Sequence, residues 1–212
     1  MLGPSSLVHQ VWTMDQSTYL GFSSKPLYGK IMPSLFGNAI LDQCSMTPWY
    51  VPGLYLIWVV AAFQSWLPFL LGIASWTLLE YVVHRFIFHI DMTQLAHYPP
   101  VRLLHFILHS QHHVYPDDPL RLVLPPAFTL PFAYLLYNVL ASSIFSGLVF
   151  GYVAYDIGHY WMHHVKDSNM WPFSTKEWKA LRSHHMAHHY SNPRTKFGVS
   201  SPLWDYLGGS EE

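Results

Sequence analysis

The sequence predicts an all-α integral membrane protein. Four transmembrane helices in two hairpins carry a cytosolic helical cap that holds a histidine-rich dimetal site. Three observations lead there. Only 11% of the 212 residues are charged, while 51% are hydrophobic and 17% aromatic, against about 25% charged in an average soluble domain. No Asp, Glu, Lys or Arg occurs in residues 43–79 or 122–155. Finally, there are 15 His, nearly all of them in four tight groups.

Each uncharged window exceeds the about 20 residues of one span and is tight for two. The first breaks at "QSWLP" (64–68) and the second at "ASSIFSG" (141–147). The expected spans are therefore about 49–63, 67–89, 120–140 and 145–164. Two buried hairpins of a soluble helical protein would be the alternative, but soluble domains seldom leave two such windows uncharged. All eleven Lys and Arg lie outside the two hairpin tips. The positive-inside rule then places both termini, and the cap at about 90–118 and 165–208, in the cytosol.

The length suits one domain, 41–212, preceded by an arm at 1–40 expected to lie in the cytosol or on the membrane surface. No basic start followed by an apolar run marks a cleavable signal there. A net charge of −1 speaks against a nucleic-acid partner. The single cysteine, Cys44, reads as a small inert apolar residue. Asp118-Pro119 reads as an N-cap with proline at the first helical position, opening the third span. Arg121 would snorkel to head groups or mark the interface. Trp58, Trp66 and Trp76 could line a path between the helices, although packing or an interfacial belt is the commoner reason for such spacing.

"EYVVHRFIFHI" holds His84 and His89, and "LLHFILHSQHH" holds His105, His109, His112 and His113. "YDIGHYWMHH" holds His159, His163 and His164, and "LRSHHMAHHY" holds His184, His185, His188 and His189. All four groups map to the cytosolic side. Residues i, i+3 and i+4 share a helical face, so His109, His112 and His113 can aim at one point. His159 and His163 form an i, i+4 pair. In the last group His184 with His188 and His185 with His189 are equally good pairs. The His-x2-His-His repeat at 109–113 favours His185, His188 and His189, leaving His184 exposed or in support. His84 and His89 lie about 140° apart on an ideal helix, so they share a site only by flanking it or through a local distortion. His9 and His97 stand alone and are assigned nothing.

Imidazole nitrogens suit Fe, Zn, Cu and Ni, and one tetrahedral zinc takes four, so this many histidines point to two metals. Cys and Met are not interleaved, which disfavours Cu(I) and iron–sulfur sites. Glu80 and Asp156 sit one helical turn before His84 and His159. They are expected to support ligating imidazoles, since unpartnered acids there would be costly. Tyr155, His105 and His164 are weaker candidates for support.

These boxes resemble those of the membrane fatty acid hydroxylase superfamily, and within it the fatty acid 2-hydroxylases that act on sphingolipid acyl chains. The stretches between the boxes narrow the resemblance: "TPWYVPGLYL", "HHVYPDDPLRLVLPP", "GYVAYDIGHYWMHH" and "KFGVSSPLWDYLGG". The similarity covers about residues 34–208. It implies two metals bound by His84, His89, His109, His112, His113, His159, His163, His185, His188 and His189. Iron is expected, with zinc acceptable to the same ligands in a purified sample.

The resemblance also implies O2 as co-substrate and 2-hydroxylation of a very-long-chain acyl group of ceramide or dihydroceramide in the endoplasmic reticulum membrane. Carbon 2 would lose a hydrogen to the oxygen-activating centre and then receive hydroxyl. Electrons would come from cytochrome b5 and its NADH-dependent reductase. No haem-binding His-Pro-Gly-Gly sequence occurs, so that donor is expected to be a separate protein. The rival enzymatic reading is another diiron lipid oxidase, a sterol desaturase or methyl oxidase. A histidine-rich zinc transporter is the rival from a different class, but it should hold its ligands near the bilayer midplane.

Overall fold

A computed structural model describes residues 6–165 and 168–212, and no strand occurs among them. Two short helices, α1 (Leu7–Thr13) and α2 (Gln16–Ser23), open the chain. Ser6 and Asp15 cap them by accepting hydrogen bonds from the N–H groups of His9 and Thr18. Helix α3 (Ala39–Cys44) follows, capped by Asn38.

The first hairpin consists of a 3-10 turn (Val51–Tyr55) running into α4 (Leu56–Ala62), then α5 (Trp66–Val83). Helix α5 continues without a break into a π-helical turn, His84–Phe88. The cap helices are α6 (Met92–Leu95), α7 (Pro99–His105), a second π-helical turn (Phe106–Ser110) and α8 (Gln111–Val114). The second hairpin is α9 (Pro126–Val139) and α10 (Ser142–His164). Helices α11 (Lys176–Tyr190) and α12 (Leu203–Gly208) complete the chain.

Helices α5 and α10 form the spine. They meet at two glycines: a Cβ added to Gly147 would lie 1.9 Å from the Phe69 carbonyl oxygen, and one on Gly72 would lie 2.2 Å from that of Ile144. Only hydrogen fits where the backbones approach this closely. Val59, Ala62, Phe69, Phe145, Val149 and Val153 form the core beside that crossing. The Ser143 hydroxyl accepts from the N–H groups of Gln64 (2.8 Å) and Ser65 (3.1 Å), tying the two hairpin tips together. Gly147→Val should force the helices apart, at a typical overpacking cost of about 1–3 kcal/mol or more. The expected outcome is a lower unfolding temperature in detergent and a reduced yield of monodisperse protein.

The outward faces of these helices are apolar. Leu54, Ile57, Leu67, Leu70, Phe132 and Leu135 are exposed, and Val60 and Tyr134 expose 78% and 72% of their surface. Exposed apolar side chains in this number suit contact with lipid or protein better than with water. The stretch Trp66–Phe88 is long and apolar enough to cross a bilayer. The apolar helix Val51–Ala62 is shorter, and α9, at 14 residues, spans only about 21 Å at 1.5 Å per residue.

The structure departs from expectation in three places outside the site. Helix α9 starts at Pro126, not near 120, with Pro125 at the cap and proline at the first position. Asp118 is consequently no helix cap: it accepts from the N–H groups of Met32 (3.0 Å) and Leu120 (2.9 Å). Arg121 does not reach toward head groups. It is buried between Asp118 (3.4 Å) and Asp42 (3.6 Å), because α3 supplies a second acid. A cation so enclosed needs those partners.

The arm is built into the cap. Leu7, Val8, Val11, Tyr19, Met32 and Leu35 share one core with Met92, Ala96, Phe106, Val114 and Tyr115. Arg102, buried beneath it, donates to the carbonyls of Val11, Trp12 and Ala96.

Candidate metal centre

The His84/His89 problem is solved by the backbone. Across the π turn the His89 N–H donates to the His84 carbonyl (3.0 Å), a bond five residues long. One extra residue per turn brings two side chains five apart onto one face, which an ideal α-helix forbids. The second π turn, Phe106–Ser110, carries His109 and leads directly into His112 and His113 on α8. Helix α10 brings His159 and His163, and α11 brings His185, His188 and His189.

These ten imidazoles converge as two groups of five. His84, His89, His109, His113 and His188 form one group; His112, His159, His163, His185 and His189 form the other. Within each group one nitrogen per ring lies within 4.8 Å of all the others. In the first group the Nε2 of His109 is 3.1 Å from that of His84, 3.0 Å from that of His89 and 2.8 Å from that of His113. The His188 Nε2 lies 3.0 Å from that of His89. In the second group His112 and His189 are separated by 3.1 Å and His163 and His185 by 2.9 Å, again at Nε2. The groups adjoin: the rings of His113 and His189 stack at 4.1 Å.

Whether such a cluster fits a metal can be judged from its donors. Around an ion with bonds of about 2.1 Å, neighbouring nitrogens separated by these distances subtend about 90°, whereas tetrahedral ligands subtend about 110°. Each group therefore fits an ion with more than four ligands better than a closed tetrahedral zinc site. His84 Nδ1 lies 2.5 Å from the Phe197 carbonyl oxygen, and His188 Nδ1 lies 2.7 Å from that of Thr195. A carbonyl only accepts, so both Nδ1 atoms carry the proton and both Nε2 atoms keep a free lone pair for a metal.

Burial holds the cap imidazoles neutral. The pKa values of His109, His112, His113, His185 and His189 all fall well below the ordinary histidine value, chiefly through desolvation and then through neighbouring rings. That of His188 is lowered to about 4, burial outweighing the Thr195 carbonyl. The sign for stability follows: these groups bind fewer protons folded than unfolded, where their pKa is about 6.5. Their contribution is complete above about pH 6.5 and is lost as pH falls toward the folded values. Metal-free protein should unfold at progressively lower temperature between pH 7 and pH 5, which a melting series in detergent checks.

The two supporting acids lie one layer further out than the sequence suggests. Neither acid takes a hydrogen bond from an imidazole. Glu80 accepts from the N–H groups of Val199 (2.5 Å) and Ser200 (3.0 Å), so it holds the loop whose Phe197 carbonyl meets His84. Asp156 accepts from the Tyr152 hydroxyl at 2.7 Å. Tyr155 packs between Trp76 and His159, with centroids 5.5 and 5.6 Å away. The His105 Nδ1 sits 2.5 Å from the Tyr19 hydroxyl. The neighbouring Phe88 ring stacks on His109 at 4.9 Å. His164 stacks on Tyr160 at 4.3 Å and bonds none of the ten.

His184 is half-buried, its Nε2 3.1 Å from Asp205. Sequence reasoning overlooked Asp205 itself, which is fully buried and accepts from the N–H groups of Phe197 and Gly198, both at 2.8 Å. The carbonyls of Thr195 and Phe197 were also illegible, since a backbone acceptor has no side-chain signature.

Comparison with known proteins agrees with this architecture. Residues 69–210 match the fatty acid hydroxylase family. The chain is 35% identical to the ceramide very long chain fatty acid hydroxylase scs7 of Schizosaccharomyces pombe, over 91% of this chain and 56% of that protein. It is 33% identical to the fatty acid 2-hydroxylase of Homo sapiens (81% and 55%). It is 31% identical to the dihydroceramide fatty acyl 2-hydroxylase FAH1 of Arabidopsis thaliana (96% and 90%). The chain thus spans about half the length of the yeast and human relatives and most of the plant one. A solved structure of full-length scs7p, with only its hydroxylase domain visible, superposes with a TM-score of 0.81 at 34% identity, covering 98% of this chain and 83% of that one. Fold and sequence agree: this chain belongs to the fatty acid hydroxylase family.

Proposed function

We propose that the chain is an O2-dependent 2-hydroxylase of the very-long-chain acyl group of ceramide or dihydroceramide, with the ten clustered histidines as its metal ligands. The observation that carries this reading is the pair of adjoining five-imidazole groups, in a chain whose relatives are named for hydroxylating such lipids. Two iron ions, when bound, supply the redox chemistry that inserts one oxygen atom into a C–H bond. The protein's own residues hold those ions, exclude water and place the acyl carbon.

The two hairpins, 51–62 with 66–88 and 126–139 with 142–164, are proposed as four spans in the endoplasmic reticulum membrane. Their exposed apolar faces and the charge-free windows support this, and the shortness of α9 implies local thinning of the bilayer. The histidines then lie at the cytosolic membrane surface. Carbon 2 is adjacent to the acyl carbonyl, so the head-group end of the substrate would sit at the metals and the rest of the chain between the helices. Electrons are proposed to come from cytochrome b5, supplied by its NADH-dependent reductase. Expression in cells that lack their own 2-hydroxylase should produce 2-hydroxy acyl sphingolipids, detectable by mass spectrometry of lipid extracts. Altered sterols with no such product would instead identify a sterol oxidase.

A further inference from the structure

The two histidine groups differ in what holds their outer nitrogens. In the first group, His84 and His188 each present Nδ1 to a carbonyl on the 195–200 strap, those of Phe197 and Thr195. That strap is unusually constrained. The four successive amides from Phe197 to Ser200 all end on two buried carboxylates, the first two on Asp205 and the last two on Glu80. Lys196, between the two carbonyl-bearing residues, holds a left-handed φ of 60°, a conformation that side-chain-bearing residues adopt only when their surroundings impose it. A Cβ on Gly198 would lie 2.1 Å from the Ser201 carbonyl oxygen, so the strap leaves no room at that position either.

Among the described residues the second group has no such brace. Nδ1 of His163, His185 and His189 is buried without a hydrogen-bond partner, whereas two rings of the first group, His84 and His188, have theirs fixed by carbonyls. An acceptor on the outer nitrogen fixes ring orientation and raises ligand basicity, and its loss typically costs about 10- to 100-fold in metal affinity.

We infer that the two metal positions are unequal. The group of His84, His89, His109, His113 and His188 retains its ion more tightly, with Asp205 and Glu80 acting as positioning residues through the strap. This rests on the metal-binding reading above and adds a ranking to it.

The test uses the purified full-length chain in detergent, its metal content measured by mass spectrometry across a chelator series. Two ions per chain should leave in two steps separated by about tenfold or more in chelator concentration. Asp205→Asn puts an amide where two N–H groups now donate. It should move the tighter step about 10- to 100-fold toward lower chelator and leave the looser step in place. Glu80→Gln makes the same test should Asp205→Asn fail to accumulate. Loss of both ions in one step overturns the ranking, as does a variant that moves only the looser step. A freshly purified chain that holds no metal would overturn the proposed function itself.

Discussion

Replacing His109 by alanine should abolish 2-hydroxylation and empty one metal position while the helical fold persists. His109 is the hub of its group: its Nε2 lies within 3.1 Å of the Nε2 atoms of His84, His89 and His113. Its ring is also the face on which Phe88 stacks. Removing an outer partner of a ligand costs about 10- to 100-fold in affinity or activity, so removing the ligand should cost at least about 100-fold. Alanine is a good helix former, and the cap core at Phe106 and Val114 does not involve the imidazole. Lipid profiles of cells expressing the two proteins, with metal counted per purified chain, should show the product gone and the metal content reduced. A His109→Ala protein that still makes 2-hydroxy sphingolipids at the normal rate would remove this residue from the site.

The second large effect separates neighbours. His185→Ala should behave like His109→Ala, because His185 is fully buried with Nε2 2.9 Å from that of His163 and its ring 4.5 Å from that of His159. His184→Ala should retain activity within about tenfold, because it meets Asp205 and not a ligating ring or its carbonyl partner, whose loss is what costs about 10- to 100-fold. His184 points to Asp205 and, at 3.7 Å, to Glu211, away from both groups. Its loss still leaves Asp205 with the N–H groups of Phe197 and Gly198 and the Ser210 hydroxyl as donors. Equal loss in both variants, read as metal content and product formation, would contradict this division.

Much of this was legible in the sequence because histidine spacing on a helix is a geometric statement. His-x2-His-His at 109–113 and 185–189 placed those imidazoles on common faces, and the uncharged windows located both hairpins. The π turn was legible only as an anomaly. A five-residue spacing says that an ideal helix fails, without saying whether the backbone bends or the rings flank the site. Glu80 stood out in the sequence as an acid one turn before His84, but its partners are amides of a strap more than a hundred residues away. No local rule connects the two. Arg121 misled for the same reason: its position beside an apolar window suggests an interface, while Asp42, which encloses it, arrives through the tertiary fold. The arm carried no motif, and its place in the cap core became evident only from packing against Phe106 and Val114.

The central claim is that these ten imidazoles hold metals that insert oxygen from O2 at carbon 2 of a sphingolipid acyl chain. The most direct measurement supplies the purified, iron-loaded chain with reduced cytochrome b5, dihydroceramide and isotopically heavy O2, then analyses the lipid by mass spectrometry. The account predicts a 2-hydroxy product carrying one heavy oxygen atom at carbon 2, formed only when O2 and the reduced donor are both present. A product whose new oxygen comes from water, or no oxidised acyl chain from a fully metal-loaded protein, would contradict it.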